Sequence, residues 1–588
     1  MSLGRRMSRR RLLAGAAALA AAGGTGATLM ALRGAESPAA APDAPSTRPP
    51  ASATAPPTPT ATPEPPRGGI ARIAARGSFN FDTFDGQRSG EASVIEVLGR
   101  THSRLVQWSD FDAPQLGPDL AARWEQPDSA TAILHLDPAA RWHDREPLNG
   151  RPVTADDVVT HFTRTLQFAR GKAPLAQRLT DYANFRRPTS TANTVVFRTN
   201  GPDPFLLSTL AGRFALIQPP EAVGGLGDKW HELQVSDVVG SGPWLYDANR
   251  EGALHFAANR SGHRQPRLDG LQIFAPFDVS GRLAVKQLDE GVTTDRRHAV
   301  TLRALAGGPG ERPVFEETPV ISTLSIDGAP WNDANLLRAL SGALNRAELS
   351  RRLFGGRAAP SGPVSPLFPG FALSESELMA FPGYGADAAF EAREARARWD
   401  AAGGPALGSV TIDFPSIFDP LYSASAVVTG MLNDVLGDQF RPAVETYTAI
   451  ATKAAAGLYG NGNAALWFGW GPPVAEPDPF RSLIETYGPH PLPGAEGAAL
   501  TGALVRLAVA TDLDERKAIA RAVSRQILEA GGAGTITWLH QLSEQFRWPY
   551  LSPAAATPFW SQHLDFSRYI DPGHAAHGNR PPVLPTGR

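Results

Sequence analysis

The stretch Leu116-Gly-Pro-Asp-Leu-Ala-Ala-Arg-Trp-Glu125 opens a closely spaced series of motifs that decides the fold. The segment Ala132–Leu136 (AILHL) follows it and has the apolar pattern of a β-strand. Arg141-Trp-His-Asp144 and Pro152-Val-Thr-Ala-Asp-Asp-Val158 come next. Thr154 can cap a helix that runs to Gln167, with two carboxylates at its positive end. This region therefore combines a strand with a capped helix.

Outside this stretch, strand and helix patterns alternate over more than 500 residues. Further strands are predicted at Gly69–Phe81, Thr194–Arg198, Ala253–Ala257 and Leu271–Phe274. Further helices are predicted at Asp333–Leu353, Asp387–Ala401, Ser423–Leu436, Ala498–Ala510 and Asp514–Ala530. This mixture predicts α/β lobes. The length of 588 residues predicts two to four domains.

Charge and cysteine content exclude several classes of function. Lys and Arg number 56 against 58 Asp and Glu, a formal net charge of −2, so nothing electrostatic favours a nucleic-acid partner. The sequence contains no cysteine. Disulfides, cysteine-ligated metals, thiol catalysis and lipidation of an N-terminal cysteine are therefore excluded.

The N-terminal region is typical of an exported protein. Arg9-Arg10 precede Leu12-Leu13, and the run Ala14–Leu32 has no charge, so residues 1–35 are predicted to be a twin-arginine-type signal peptide. A retained signal anchor and an Arg-rich tail before an internal helix are the alternatives. From Glu36 to Pro66, 27 of 31 residues are Pro, Ala, Ser or Thr. Residues 36–67 are therefore predicted to be a disordered, extended linker.

A search for catalytic and metal-binding motifs is largely negative. His231-Glu232 begins like a zinc-binding helix, but Val235 stands where the second histidine is needed. Gly240-Ser-Gly242 precedes a proline and favours a turn over a nucleophile elbow. Trp142-His-Asp144 favours a hydrogen-bonded loop pair over acid–base chemistry. No catalytic residue, cofactor or metal site is predicted, and the chain is not expected to be an enzyme.

Three more motifs extend the series. They are Gly240-Ser-Gly-Pro-Trp244 with Ala258-Asn-Arg260, Asp333–Leu340 reaching Asn345-Arg346, and Trp467-Phe-Gly-Trp-Gly471 with Glu476-Pro-Asp-Pro479. Their order resembles bacterial extracellular solute-binding proteins of family 5, the peptide- and nickel-type binding proteins of ABC importers. The resemblance covers residues 68–553.

The resemblance implies a periplasmic-binding-protein-like α/β fold of the class II, cluster C type. Two lobes would close around a hinge, and lobe I would carry an extra subdomain. The implied boundaries are 68–110, 231–322 and 541–588 for lobe I, 111–230 for its inserted subdomain, and 323–540 for lobe II. The chain would cross between the lobes near Thr318–Ser325 and Thr535–Leu542, so that closure would be a hinge motion.

The resemblance also implies ligand-binding residues. Trp467, Gly469, Trp470 and Gly471 match the family segment that lines the cleft. Glycines permit close backbone approach and indoles offer apolar and cation–π surface. On residue type alone, the two tryptophans could instead be core residues. Gln87 and Arg88 lie in a stretch that loosely matches a ligand-facing loop after the first strand, and exposed residues without a ligand role are the alternative.

Two departures bear on the ligand. Peptide binders of this family have an aspartate after the tryptophan-glycine pair that holds the ligand's α-ammonium, and Pro473 stands there in this chain. A proline offers neither a charge nor a backbone donor, although Glu476 or Asp478 could substitute for it. Asn335 and Leu337 replace residues that are usually arginines in the family.

The predicted function is therefore that of an exported, non-lipidated, monomeric substrate-binding protein of an ABC importer. It would act in the periplasm or at the extracellular face of the cytoplasmic membrane. It would capture a peptide-like or other small polar solute and deliver it to the membrane permease. A solute-sensing receptor for a signalling partner and an exported hydrolase are the alternatives. Peptides, sugars, opines and metal chelates all remain open as ligands.

Overall fold

The computed structural model covers the whole chain and describes most of it. The described residues are 64–75, 79, 81, 83–89, 92–110, 115–167, 186–224, 237–293, 300, 302–303, 314–325, 328–368, 370–416, 423–470, 479–487, 494–532, 535–552 and 566–582. The predicted signal segment 1–35, almost all of the linker, the pair His231-Glu232 and the stretch 471–478 lie outside them.

The first half of the described chain is rich in strands. Its strands are β1 (Ile70–Ala74), β2 (Val106–Asp110), β3 (Gln115–Pro118), β4 (Ala121–Asp128), β5 (Thr131–Leu136), β6 (Thr189–Thr191), β7 (Thr194–Arg198), β8 (Trp244–Arg250), β9 (Ala253–Ala258), β10 (Gly270–Phe274) and β11 (Glu290–Thr293). Its helices are α1 (Ala92–Thr101), α2 (Ala155–Gln167), α3 (Leu206–Ala211), α4 (Pro220–Gly224) and α5 (Val279–Ala284).

The second half is rich in helices. Its helices are α6 (Ala334–Ala343), α7 (Arg346–Phe354), α8 (Glu375–Leu378), α9 (Ala388–Ala401), α10 (Ala424–Leu436), α11 (Tyr447–Ala455), α12 (Phe480–Tyr487), α13 (Gly494–Val509) and α14 (Leu513–Glu529). Its strands are β12 (Val314–Ser325), β13 (Ala359–Pro360), β14 (Val410–Pro415), β15 (Phe440–Glu445), β16 (Ala465–Trp470), β17 (Thr535–Arg547), β18 (Leu551–Ser552) and β19 (Tyr569–Ile570).

One large sheet runs through the molecule in the order β15-β14-β16-β12-β17-β11-β1-β10-β9-β8, with β13 paired to β17. We call β11-β1-β10-β9-β8 the first half-sheet and β15-β14-β16 the second half-sheet. The long strands β12 and β17 pair with each other and join the two. A separate four-stranded antiparallel sheet, β4-β5-β7-β6, lies between β1 and β8 in the sequence.

Buried apolar side chains form three cores. The first core draws on residues 71–302 and 546–576 and packs on the first half-sheet. The second core draws on residues 324–468 together with Ile536 and Leu539, and packs on the second half-sheet. The third core is formed by residues 364–528, and Phe205 also packs in it. In the described part of the chain, Phe205 is the one residue of the first half that enters this third core.

Most predicted elements are confirmed. The strands at 132–136, 194–198, 253–257 and 271–274 and the helices at 387–401, 423–436 and 514–530 are correct to within one residue at each end. Thr154 caps α2, since its Oγ1 accepts from Asp157 N at 3.2 Å. The helix predicted at 498–510 begins four residues earlier, at Gly494.

Two predicted elements were wrong in extent. The strand predicted at 69–81 begins at Ile70 and ends at Ala74, opposite the end of its partner β10 at Phe274. The helix predicted at 333–353 is two helices, α6 and α7. Asn345 starts the second one, because its side chain accepts from Glu348 N at 3.0 Å.

The fold class is thus mixed α/β, with parallel strands in both half-sheets and helices packed on them. Within the described ranges, none of the helices is both long and apolar enough to cross a membrane.

Candidate ligand-binding cleft

The first half-sheet presents a carboxyl edge made by three parallel strands. β1 pairs in parallel with β10 and with β11, so the ends of these strands lie along one edge. β17 runs antiparallel to β11 and pairs Glu544 with Thr293, the last residue of β11. Glu544 pairs on its other side with Glu317 of β12. The carboxyl edge of the first half-sheet therefore lies level with residue 317 of β12.

The second half-sheet points the opposite way. β16 is antiparallel to β12 and pairs its last residue, Trp470, with Ser322. β14 is parallel to both β15 and β16, so all three carboxyl ends point back toward the first half-sheet. The two carboxyl edges thus converge on residues 317–322 of β12. In open α/β sheets, ligands bind outside the carboxyl ends of the strands. We call this region the cleft.

The predicted tryptophan-glycine segment lies at the second carboxyl edge. Trp467 is partly buried in β16, with its ring centroid 6.5 Å from that of Tyr459. Gly469 is buried, and a Cβ atom on it would lie 2.1 Å from the Trp467 ring. The glycine therefore makes room for the indole of Trp467, a reason that the sequence did not reveal. Trp470 ends β16, and Gly471 lies outside the described residues.

The loop that carries Gln87 and Arg88 is hydrogen-bonded to α2. Asp85 accepts hydrogen bonds from Arg164 at 3.0 and 2.5 Å. Gln87 is buried, and its amide donates to the His161 carbonyl at 2.6 Å. Arg88 is half-buried. The side-chain amide of Gln87 thus has internal partners, and a ligand role for Gln87 and Arg88 stays a prediction.

Comparison with known proteins identifies the family. The family described as bacterial extracellular solute-binding proteins, family 5 Middle, matches residues 115–489. The chain belongs to this family. It is therefore a solute-binding protein and not an enzyme. A search of curated proteins found no match.

Solved structures share the fold of this solute-binding protein. The DppA protein of Helicobacter pylori, in complex with the peptide STSA, has a TM-score of 0.71 at 18% identity, over 86% of this chain and 98% of its own. AgaA of A. tumefaciens R10, in complex with agropinic acid, has a TM-score of 0.68 at 17% identity, over 86% and 99%. OppA of Haemophilus influenzae, with the peptide RPPGFSPFR, has a TM-score of 0.66 at 18% identity, over 86% and 99%.

Four of the family motifs of the first half are joined by hydrogen bonds. Trp142 Nε1 donates to Asp157 at 3.2 Å. His143 Nδ1 accepts from Gly240 N at 3.1 Å, and Nε2 lies 3.0 Å from the carbonyl of Gly242. The same carbonyl accepts from the Asn259 side chain at 3.0 Å. Four motifs that are separate in the sequence therefore meet in space as scaffold.

His143 has no acid–base partner in this network. Its side chain is fully buried, and burial lowers its pKa to about 4, so the ring is neutral at pH 7. Asp144 is exposed, and the predicted His143–Asp144 pair is replaced by the two backbone contacts to Gly240 and Gly242. Gly240 is required there, since a Cβ atom on it would lie 2.0 Å from the Thr101 carbonyl oxygen. Among the described residues, no three or more His, Asp or Glu side chains are grouped as a metal site.

A charged cluster beside Trp467 was missed by sequence reasoning. Asp413 of β14 pairs in register with Trp467. Its Oδ2 accepts from Tyr459 at 2.5 Å and from Lys453 at 2.8 Å. Lys453 also donates to Glu445, the last residue of β15, at 2.9 Å. An acidic residue inside the apolar stretch Val410–Pro415 was the one signal that could have found this cluster.

The pKa values of Tyr459 and Lys453 are both raised in this cluster. Burial and the hydrogen bond to Asp413 raise the pKa of Tyr459, so its hydroxyl remains a donor. Burial opposes the charge on Lys453, but hydrogen bonds to Asp413 and Glu445 outweigh it and raise the pKa of Lys453. Two carboxylates and one ammonium give the cluster a net charge of about −1 at pH 7. It can offer carboxylate oxygens to a polar group held against the indole.

A groove lies away from the two carboxyl edges. This groove of about 440 Å³ runs between α6, α9 and the 379–387 loop, and it is lined in part by Met379, Phe381 and Phe390. None of its lining residues belongs to either carboxyl edge. We call it the outer groove.

Proposed function

We propose that this chain is the extracytoplasmic substrate-binding protein of an ABC importer. It captures a peptide-like or other small polar solute in the cleft and delivers it to the membrane permease. The convergence of two oppositely directed carboxyl edges on residues 317–322 of β12 carries this proposal. A solute bound there contacts both half-sheets at once, as capture between two closing lobes requires.

Closure in this proposal is a hinge motion about β12 and β17. These two strands link the half-sheets, and they include the predicted crossings at 318–325 and 535–542. The proposed lobe boundaries keep the ranges given from the sequence. The proposed ligand-binding residues are Trp467, Gly469, Trp470 and Gly471 on the second lobe, and Gln87 and Arg88 on the first.

The ligand of this protein does not need a free α-ammonium group. Pro473 stands at the position where peptide binders of the family have the aspartate that holds the ligand's α-ammonium group. The acidic group placed beside Trp467 is Asp413, whose Oδ2 is already bonded to an ammonium and a hydroxyl. Of the three solved structures named above, two hold peptides and one holds agropinic acid. Blocked peptides and opine-like conjugates are therefore the first solutes to test.

The proposed setting is the outer side of the cytoplasmic membrane. Arg9-Arg10 and the uncharged run after them would direct export, and the Pro/Ala/Thr-rich linker would space the folded part from the membrane or from a cleavage site. With no cysteine in the sequence, attachment through a lipidated cysteine is not part of the proposal. The protein acts as a monomer with a permease partner and has no nucleic-acid partner.

Calorimetric titration of the full chain tests this function. The probes are Ala-Phe-Ala and its N-acetylated form, and we expect both to bind with affinities within about threefold of each other, because Pro473 stands where peptide binders have their ammonium-binding aspartate. Trp467→Ala should weaken binding about tenfold or more. Trp124→Ala is the matched control, since Trp124 is also a partly buried strand tryptophan but lies in β4. Absence of binding by the unmodified chain, or equal loss in both variants, would contradict the proposal.

A further inference from the structure

Phe277 is the most exposed large hydrophobic side chain that the structure describes. It is 74% exposed, and it has no stacked ring or cation partner among the described residues. Single exposed apolar residues are common on protein surfaces, so exposure alone assigns no role. Phe277 differs from other exposed apolar residues in its place at the edge of the sheet and in the turn that carries it.

Phe277 lies at the carboxyl edge of the first half-sheet. It follows β10 by three residues, and the last residue of β10, Phe274, pairs in parallel with Ala74 at the end of β1. This is the edge that points toward residues 317–322 of β12. A side chain just beyond it lies where a ligand of an open α/β sheet binds.

The turn that presents Phe277 is held by its own backbone. Ala275 N donates to the carbonyl of Gly252 at 3.1 Å, and Phe277 N donates to the carbonyl of Ala275 at 2.8 Å. Asp278 has a φ of 46°, in the left-handed region, and its side chain accepts from Gly281 N at 3.2 Å to cap α5. Non-glycine residues keep this conformation only where the surroundings enforce it, and such positions cluster at functional sites.

The neighbouring residues leave the Phe277 ring as the available aromatic surface. Phe274 has its ring face covered by the Arg282 guanidinium, 4.1 Å from the ring centroid. Gly281 allows the tight cap, because a Cβ atom there would lie 2.4 Å from Asp278 Oδ2. The turn thus directs one uncovered aromatic ring outward from a fixed backbone.

We propose that Phe277 is a ligand-contacting residue whose ring packs on an apolar or planar group of the solute. This inference rests on the proposed function and narrows it. The preferred solute is a peptide-like molecule that carries an aromatic or bulky apolar group, and not merely a small polar one. Phe277 supplies the contact from the first half-sheet, and Trp467 supplies the contact from the second.

The test compares two probes on three forms of the full chain. The probes are N-acetyl-Ala-Phe-Ala and N-acetyl-Ala-Ala-Ala, and the forms are the unmodified chain, Phe277→Ala and Phe390→Ala. Phe390 is the matched control, because it is 53% exposed but lines the outer groove. The unmodified chain and Phe390→Ala should prefer the phenylalanine probe by about 10- to 100-fold. Phe277→Ala should lose most of this preference while its thermal midpoint is unchanged.

Each outcome separates the two proposals. If the unmodified chain binds the phenylalanine probe and Phe277→Ala binds it equally well, the role of Phe277 is overturned and the solute-binding function stands. If the unmodified chain binds neither probe, the peptide-like function fails and the role of Phe277 fails with it. If sedimentation shows a dimer that Phe277→Ala abolishes, Phe277 lies at an interface between copies, which also overturns the inference.

Discussion

The two half-sheets each contain a buried aspartate with the same kind of partners. Asp289, directly before β11, accepts from the Tyr550 hydroxyl at 2.8 Å and from Arg580 Nε at 2.9 Å. Asp413, in β14, accepts from the Tyr459 hydroxyl and from Lys453. In each case a tyrosine and a cation satisfy a carboxylate that is removed from water.

The two clusters differ in their access to solvent. The side chains of Arg72 and Arg580 around Asp289 are 6% and 9% exposed, whereas Lys453 and Glu445 beside Asp413 are 33% and 36% exposed. A cluster that is closed to water stabilises the fold, whereas a cluster that is open to water can exchange one of its partners for a ligand. The first half-sheet thus buries the partners of its aspartate as scaffold, and the second leaves Lys453 and Glu445 partly exposed around the buried Asp413.

Acid should destabilise the first core more than the second, because three buried histidines lie in the first core. Among the described residues, His540, whose pKa burial lowers to about 4, is the one such histidine beside the second core. Burial lowers the pKa of His102 to about 3, of His143 to about 4 and of His161 to about 3. Their unfolded pKa is about 6.5, so this stability is present above pH 6.5 and is lost as the pH falls toward 4. Lowering the pH from 7 to 5 should therefore decrease the free energy of unfolding by about 2 kcal/mol for each of these rings.

Limited proteolysis with mass spectrometry, at pH 7 and at pH 5, measures this difference. The first new cleavages at pH 5 should fall in α1 and α2, which carry or adjoin these histidines, and not in α10 of the second core. Earlier cleavage in α10 would show that the acid-sensitive groups are not those of the first core.

Removing the sealed carboxylate should have the next largest effect. Asp289→Ala leaves Arg72 and Arg580 buried without their counter-charge, which should cost about 3–5 kcal/mol of unfolding free energy. Asp413→Ala is the matched variant in the open cluster. Because Lys453 keeps Glu445 and water as partners, that variant should cost only about 1 kcal/mol. Urea unfolding of both variants measures the contrast, and similar losses would remove the distinction between the clusters.

The contact between the first half of the chain and the third core should have the smallest effect. Phe205 stacks on Phe480 with ring centroids 4.4 Å apart, while the next residues, Leu206 and Leu207, pack in the first core. A double-mutant cycle with Phe205→Ala and Phe480→Ala should give a coupling energy of about 0.5–1.5 kcal/mol. A coupling of zero would mean that this link between the cores does not hold in solution.

Local patterns in the sequence were sufficient to predict most helices and strands and to recognise the family. Thr154 predicted the start of its helix because a side-chain cap needs a partner only three residues away. The family motifs could be recognised in order, yet their physical role was not readable. That Trp142 bonds to Asp157 and His143 to Gly240 depends on pairing across 15 and 97 residues.

The candidate site was predicted in part. The resemblance pointed to the tryptophan-glycine segment as cleft-lining, but the reason for Gly469 lies in the ring of Trp467, which only the folded chain reveals. Gln87 reads as an exposed polar residue, and α2 buries it. Asp413 and Phe277 were missed, because an isolated acid in a strand and an isolated aromatic in a turn have no sequence partner that marks them.

Hydrogen–deuterium exchange of the full chain, with and without saturating N-acetyl-Ala-Phe-Ala, tests the central claim most directly. If the solute binds between the two carboxyl edges, exchange should slow in 275–278 of the first half-sheet and in 465–470 of the second, in the same experiment. The amides of the outer groove, at 379–387, should be unaffected. Protection of one edge alone, or of the outer groove, would contradict binding between the two half-sheets.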